Sequence, residues 1–175
     1  MVVVEGIYSM EGAICNLKEV VKVCKRYKAY IYVDEAHSIG ALGPTGRGVC
    51  EYAGVDTKDI DILMGTFTKS FSGMGGYIAA SKEIIDYIKA EAPGELHSEC
   101  LVRMYDECTL GIVHHNSMSP IVCKQILTAF KVIMGEDGTD IGRRKIESLK
   151  VYLETIKALL TSAYIRTTQT TSAAR

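Results

Sequence analysis

Ala29-Tyr30-Ile31-Tyr32-Val33-Asp34-Glu35-Ala36-His37 decides the fold. Its first five residues are apolar, aromatic or β-branched, the make-up of a buried strand, and the run closes on an acidic residue. Working outward, Val2-Val3-Val4-Glu5-Gly6-Ile7 reads as another buried strand, ahead of the turn-prone segment Ser9 to Gly12. Asn16 then precedes Leu17, Val20, Val21 and Cys24, the i, i+3, i+4, i+7 stripe of an amphipathic helix. Asn16 is placed to accept from the free N–H groups of the first turn, with Glu19 as a capping-box partner. On the other side, Asp61 to Gly65 is a third strand and Gly76 to Ala80 a fourth. Ser81 caps a helix through Lys89 that turns Ile84, Ile85 and Ile88 inward. Near-continuous apolar strands alternating with helices predict an α/β domain: a mostly parallel sheet with helices on both faces.

Length and composition agree. The chain has 175 residues, 47% hydrophobic and 23% charged, with 16 Gly and 3 Pro, which fits one folded domain and excludes disordered or collagen-like classes. Twenty basic against 21 acidic residues leave a net charge of −1, without the basic excess of a nucleic-acid binder. No apolar run approaches the ~20 residues that span a bilayer. The opening Met-Val-Val-Val-Glu lacks the basic start and long apolar stretch of a signal peptide, so neither anchor nor secretion address is expected. Cys15, Cys24, Cys50, Cys100, Cys108 and Cys123 form no C-x-x-C pair and read as reduced thiols, mostly buried as small hydrophobes rather than as metal ligands.

Residues 1–90 are therefore expected to form the central part of the domain. Residues 91–116 hold Pro93-Gly94 and mixed charges without a sustained period, and read as an atypical insertion or gene-model artefact. His97, His114 and His115 fall there and read as loop residues. Ser119 as N-cap and Pro120 at the first position start a helix that lines up Val122, Ile126, Phe130 and Ile133 and closes at Gly135. A last helix carries Leu149, Leu153, Ile156 and Leu160, so 117–160 continue the domain. Residues 161–175 are expected to be a disordered tail.

Two features carry chemistry. Asp34-Glu35-Ala36-His37 stands at the carboxyl end of a strand, where ligands bind in open α/β sheets. Gly65-Thr66-Phe67-Thr68-Lys69-Ser70 follows the next strand and sets Lys69 among small and hydroxyl residues, where an amine can lose its proton and attack a carbonyl. Nucleotide hydrolysis is one reading, with Asp-Glu-Ala-His as a helicase-type magnesium motif. It needs a Gly-x-x-x-x-Gly-Lys-Ser/Thr loop upstream, and no Gly-Lys pair precedes Asp34. A pyridoxal 5'-phosphate site is the other. It needs a lysine amine, an acid for the pyridine nitrogen and donors for a phosphate, which Lys69, Asp34, Thr66 and Thr68 supply from neighbouring strand ends.

Glu5 to Gly12, Asp34 to Gly48 (Asp-Glu-Ala-His-Ser-Ile-Gly-Ala-Leu-Gly-Pro-Thr-Gly-Arg-Gly) and Gly65 to Phe71 also resemble the α-oxoamine synthase family, most closely the catalytic long-chain-base subunits of serine palmitoyltransferases. The likeness runs from about Val2 to Ala90 and resumes from Ser117 to about Gly142, including Ile133 to Thr139. It implies a fold-type-I pyridoxal-phosphate enzyme that condenses serine with a long-chain fatty acyl-CoA, releases CO₂ and gives a 3-keto sphingoid base. By resemblance, Lys69 is the Schiff-base lysine, Asp34 the partner of the pyridine nitrogen, and His37 the hydrogen-bond donor to the cofactor's phenolic oxygen. Thr66 and Thr68 hold the phosphate, and Ser9 is a further cofactor contact. The resemblance also implies a dimer or heteromer with a homologous subunit at the cytosolic face of the endoplasmic reticulum.

The pattern also departs from the family. Its upstream cofactor-stacking residue and phosphate turn have no counterpart here, nor does the carboxyl-terminal domain that binds the substrate carboxylate, and 91–116 do not resemble its short connection. A fragment of the large domain is expected, with little synthase activity alone. The competing class is a non-catalytic structural or regulatory subunit, which the presence of Lys69 argues against.

Overall fold

The computed structural model describes residues 1–91, 109–111, 118–152 and 155. Five strands form the main sheet in the order β1 (Val2–Glu5), β4 (Ile31–Asp34), β5 (Ile62–Thr66), β6 (Gly76–Ala80), β7 (Thr109–Gly111). The first three pair in parallel, β6 runs against them, and β7 is antiparallel to β6. Four of the five strands thus point one way, the mostly parallel sheet expected. A separate hairpin, β2 (Ile7–Tyr8) and β3 (Ala13–Ile14), precedes helix α1 (Leu17–Tyr27). Helix α2 is Val49–Ala53, α3 is Lys82–Glu91, and α4 is Pro120–Met134.

Pleat and register decide what the strand ends present. Side chains alternate across a strand, and residues in register share a face. Val33 pairs with Leu63, and Gly65 pairs with Tyr77 so closely that a Cβ on Gly65 would lie 2.5 Å from the tyrosine ring. Val33 belongs to a core built with Leu17, Val21 and Cys24 of α1 and Val49 and Cys50 of α2. Tyr77 belongs to a second core, with Phe67, Phe71, and Ile126 and Phe130 of α4. Both cores therefore lie on one face. The opposite face carries Glu5, Tyr32, Asp34, Ile62, Met64, Thr66 and Ile78, each part-exposed, beside buried Ala80, so the described helices leave it incompletely covered.

Local signals account for most element ends. The Ser119 hydroxyl accepts from Val122 N–H at 3.4 Å, with Pro120 at the first helical position and Gly135 left-handed (φ 75°) at the carboxyl end. Asn16 departs from expectation. It occupies the N-cap position of α1, but its ψ of 67° keeps its side chain from making a cap hydrogen bond. Its carbonyl instead accepts from the Glu19 and Val20 amides. Leu153, Ile156 and Leu160, Cys100 and Cys108, the three histidines after residue 91 and the tail lie outside the described residues; helical residues 141–152 form the start of the last helix.

Cys15, Cys24 and Cys50 are buried free thiols, as small hydrophobes in a core. Burial first, then the charges of Glu35 and Asp56, pushes the Cys50 thiol up to about 12. At pH 8 the folded chain should leave Cys50 unalkylated by iodoacetamide while part-buried Cys123 reacts, because the Cys50 thiolate is roughly a thousandfold scarcer than in the unfolded chain. Peptide mapping in native buffer and again in urea checks it. Raised folded-state affinity for the proton also means that this thiol's contribution to stability is complete below pH 9 and fades as pH climbs from 9 towards 12.

Candidate active site

Asp34 ends β4, in register with Glu5 on one side and Met64 on the other. Its carbonyl accepts from Gly6 N–H at 2.7 Å, and Glu35 N–H donates to Met64 at 2.6 Å, so backbone bonds hold this strand end on both sides. The Asp34 Oδ1 accepts from Ala36 N–H at 2.8 Å, an Asx turn that fixes the carboxylate. Its other oxygen accepts no hydrogen bond from the described residues.

Thr66 lies two residues beyond Met64 on the neighbouring strand and so shares the Asp34 face. Its hydroxyl and that of Thr68 are 3.0 Å apart, a hydroxyl pair at the strand end. Lys69 follows, exposed. Its loop is closed from beneath: Phe67 N–H donates to Gly75 at 3.0 Å and Gly73 N–H to Phe67 at 2.7 Å. Ser72 takes a left-handed backbone (φ 51°), and Gln125 of α4 donates to the Ser72 carbonyl at 2.6 Å.

His37 sits part-buried in the loop 35–48 between β4 and α2. Consecutive turns wind this loop: Ile39 N–H donates to Glu35 at 2.9 Å and Leu42 N–H to Ser38 at 2.8 Å. Gly40 then brings it against the lysine loop. With φ 77° the position favours glycine, and a Cβ there would lie 2.6 Å from the Ser70 Cβ. The His37 loop and the Lys69 loop therefore touch at Gly40 and Ser70.

Of the residues singled out by sequence, Asp34 and Thr66 share a sheet face at adjoining strand ends, Thr68 pairs with Thr66, and His37 and Lys69 stand on loops in contact. Ser9 is placed differently. The chain leaves the main sheet at Gly6, and Ser9 is an exposed residue at the tip of the β2–β3 hairpin rather than at the end of the first strand. The residue beside Asp34 on β1 is Glu5.

Sequence reading passed over two carboxylates that brace the loop. Glu51 accepts from Thr45 N–H (3.1 Å), the Thr45 hydroxyl (2.6 Å) and Arg47 N–H (3.0 Å). Glu35 is 2% exposed and accepts from the Ser38 hydroxyl and from Val49 N–H, at 3.1 and 3.0 Å from its two oxygens. Burial pushes the Glu35 carboxyl upward, and the hydrogen bonds from Ser38, Val49 and Cys50 pull it back. A signal existed: a carboxylate amid Ala36, Ser38, Ile39, Gly40, Ala41 and Leu42 has few ways to be solvated except by backbone amides.

An exposed lysine, a strand-end carboxylate and a hydroxyl pair thus gather at the carboxyl ends of adjoining strands, the edge where open α/β sheets bind ligands. A family model for class I and II aminotransferases matches residues 1–109. The chain belongs to that family. It is 54% identical over 150 residues to long chain base biosynthesis protein 2c of Oryza sativa subsp. japonica, covering 86% of this chain and 27% of that protein. It is 49% identical over 149 residues to serine palmitoyltransferase 2 of Dictyostelium discoideum, again 27% of that protein's length. A high-resolution structure of SPT with its PLP internal aldimine aligns with 85% of this chain and 31% of its own, at 32% identity and a TM-score of 0.64. The chain thus spans about a quarter of the length of the curated relatives it matches. The resemblance read from the motifs holds, and so does the fold class.

Proposed function

We propose that this sequence carries the cofactor lysine of a serine palmitoyltransferase-type enzyme, which condenses serine with a long-chain acyl-CoA and releases CO₂ to give a 3-keto sphingoid base. The observation that carries the reading is the meeting of Asp34, Thr66, Thr68 and the Lys69 loop at adjoining strand ends, in a chain about half identical to a long chain base biosynthesis protein and to a serine palmitoyltransferase. The donor set fits pyridoxal 5'-phosphate: a fixed carboxylate with one uncommitted oxygen, a hydroxyl pair and an exposed amine.

When bound, pyridoxal phosphate supplies an electron-accepting ring that stabilises negative charge at an amino acid's α-carbon. Asp34 would hold the proton on the ring nitrogen, since an adjacent negative charge favours the cationic ring. Lys69 Nζ would attach the cofactor and, once displaced by the amine of serine, take and return the α-proton. His37 would donate to the phenolic oxygen, and the Thr66 and Thr68 hydroxyls to the phosphate. A homologous second subunit and the cytosolic face of the endoplasmic reticulum belong to the same reading and rest on family resemblance. No helix among the described residues is long and apolar enough to cross a membrane.

The test is CO₂ release from carboxyl-labelled serine by the protein that carries this sequence, with and without palmitoyl-CoA. Release that requires both the acyl-CoA and pyridoxal phosphate is expected. Release indifferent to either overturns the reading.

A further inference from the structure

Glu35 is a buried carboxylate for which the proposed function has no use. A buried charge is costly unless paired or hydrogen-bonded, and no ion pair reaches Glu35 among the described residues. It is satisfied by neutral donors instead: the Ser38 hydroxyl three residues on and the Val49 amide fourteen residues on. Those partners stand at the two ends of the loop that bears His37. Gly48 completes the fit, because its φ of 90° and missing Cβ let the backbone close over the carboxylate that a side chain there would strike. Midway along the loop, Gly40 rests on Ser70, the residue after Lys69.

We propose that Glu35 is a positioning residue: its carboxylate ties both ends of the 36–48 loop, which fixes the backbone that carries His37 and, through Gly40 against Ser70, fixes the Lys69 loop. The geometry that supports this is a double tether, one carboxylate holding the start and the finish of a loop whose middle abuts the other half of the site. What is being positioned rests on the pyridoxal-phosphate reading; the tether itself does not.

Glu35→Gln keeps the size and turns one acceptor into an N–H₂ facing donors. In the full chain, two measurements follow the consequence. One is the ring signal of His37 by NMR, with the other three histidines as internal references. The other is the rate at which pyridoxal phosphate followed by borohydride labels Lys69, read by peptide mapping. Displacing a reacting group by about 1 Å costs on the order of 100-fold, so labelling of a folded Glu35→Gln chain is expected to slow by roughly 10- to 100-fold while the His37 signal moves. Ser38→Ala removes one donor without altering charge, serves if Glu35→Gln does not fold, and should shift both readouts the same way by less. A folded variant whose His37 signal and labelling rate coincide with those of the unsubstituted chain overturns the proposal. If the unsubstituted chain takes no label on Lys69, the functional reading fails instead. The tether then stands or falls on the His37 signal, together with amide exchange at Gly40 and Ser70.

Discussion

Lys69→Ala is expected to abolish covalent attachment of pyridoxal phosphate to this chain and to leave its fold intact. Lys69 is exposed, and its side chain makes no hydrogen bond or ion pair with the described residues, so its removal should change stability by no more than about 0.5 kcal/mol. The chemistry has no such tolerance. Only a primary amine can form the bond to the cofactor's carbonyl, and deleting a covalent nucleophile costs on the order of 10⁶-fold in turnover. Lys69→Arg sharpens the experiment, since it keeps the positive charge that attracts a phosphate but cannot form the bond. The expected result is a visible absorption band and a borohydride-fixed label on Lys69 in the unsubstituted chain, with neither in the Ala or Arg variants. A band that survives Lys69→Ala would show that another of the lysines reacts, and the assignment of this loop would fall with it. The same result would favour a non-catalytic subunit.

Much of this candidate site is legible in the sequence, and the reason is positional. A strand such as Ile31 to Asp34 announces itself by composition, and the residue that ends it is placed at a ligand-binding edge by the topology alone. Asp34, Thr66 and the Lys69 loop could therefore be found from one rule. The hairpin at Ser9 could not, because Gly6 ends the pairing of β1 one residue before Ile7 and Tyr8 start a second sheet, and apolar composition does not change at that point. Glu35 and Glu51 were missed for a different reason. Their partners are backbone amides or hydroxyls up to fourteen residues away, and a period in the sequence reports side-chain faces rather than backbone turns. Asn16 shows the converse error: its position was right, yet the backbone at that residue is not extended, and a cap bond needs both.

Phe130→Ala is expected to cost about 3–5 kcal/mol, a large share of the roughly 5–15 kcal/mol that holds a domain of this size together. The residue is 7% exposed, and its ring sits 4.6 Å from Phe71 and 6.0 Å from Phe67, centroid to centroid. Those two phenylalanines bracket Thr68-Lys69-Ser70, so α4 holds both ends of the lysine loop through a single aromatic cluster, with Phe67 and Phe71 themselves edge to face at 5.6 Å. A cavity at Phe130 should therefore lower the urea midpoint and also loosen the loop above it. Phe130→Leu separates the two effects by keeping an apolar side chain and most of the fold. Ile85→Ala is the matched control. Ile85 is 1% exposed on α3, outside the cluster, and its truncation costs about 2–5 kcal/mol without touching Phe67 or Phe71. If the cluster seats the loop, Phe130→Leu slows pyridoxal-phosphate labelling of Lys69 in native buffer, whereas Ile85→Ala lowers the urea midpoint and labels at the unsubstituted rate. Equal labelling rates in the two variants, at equal loss of stability, would mean that α4 supports the sheet and nothing more.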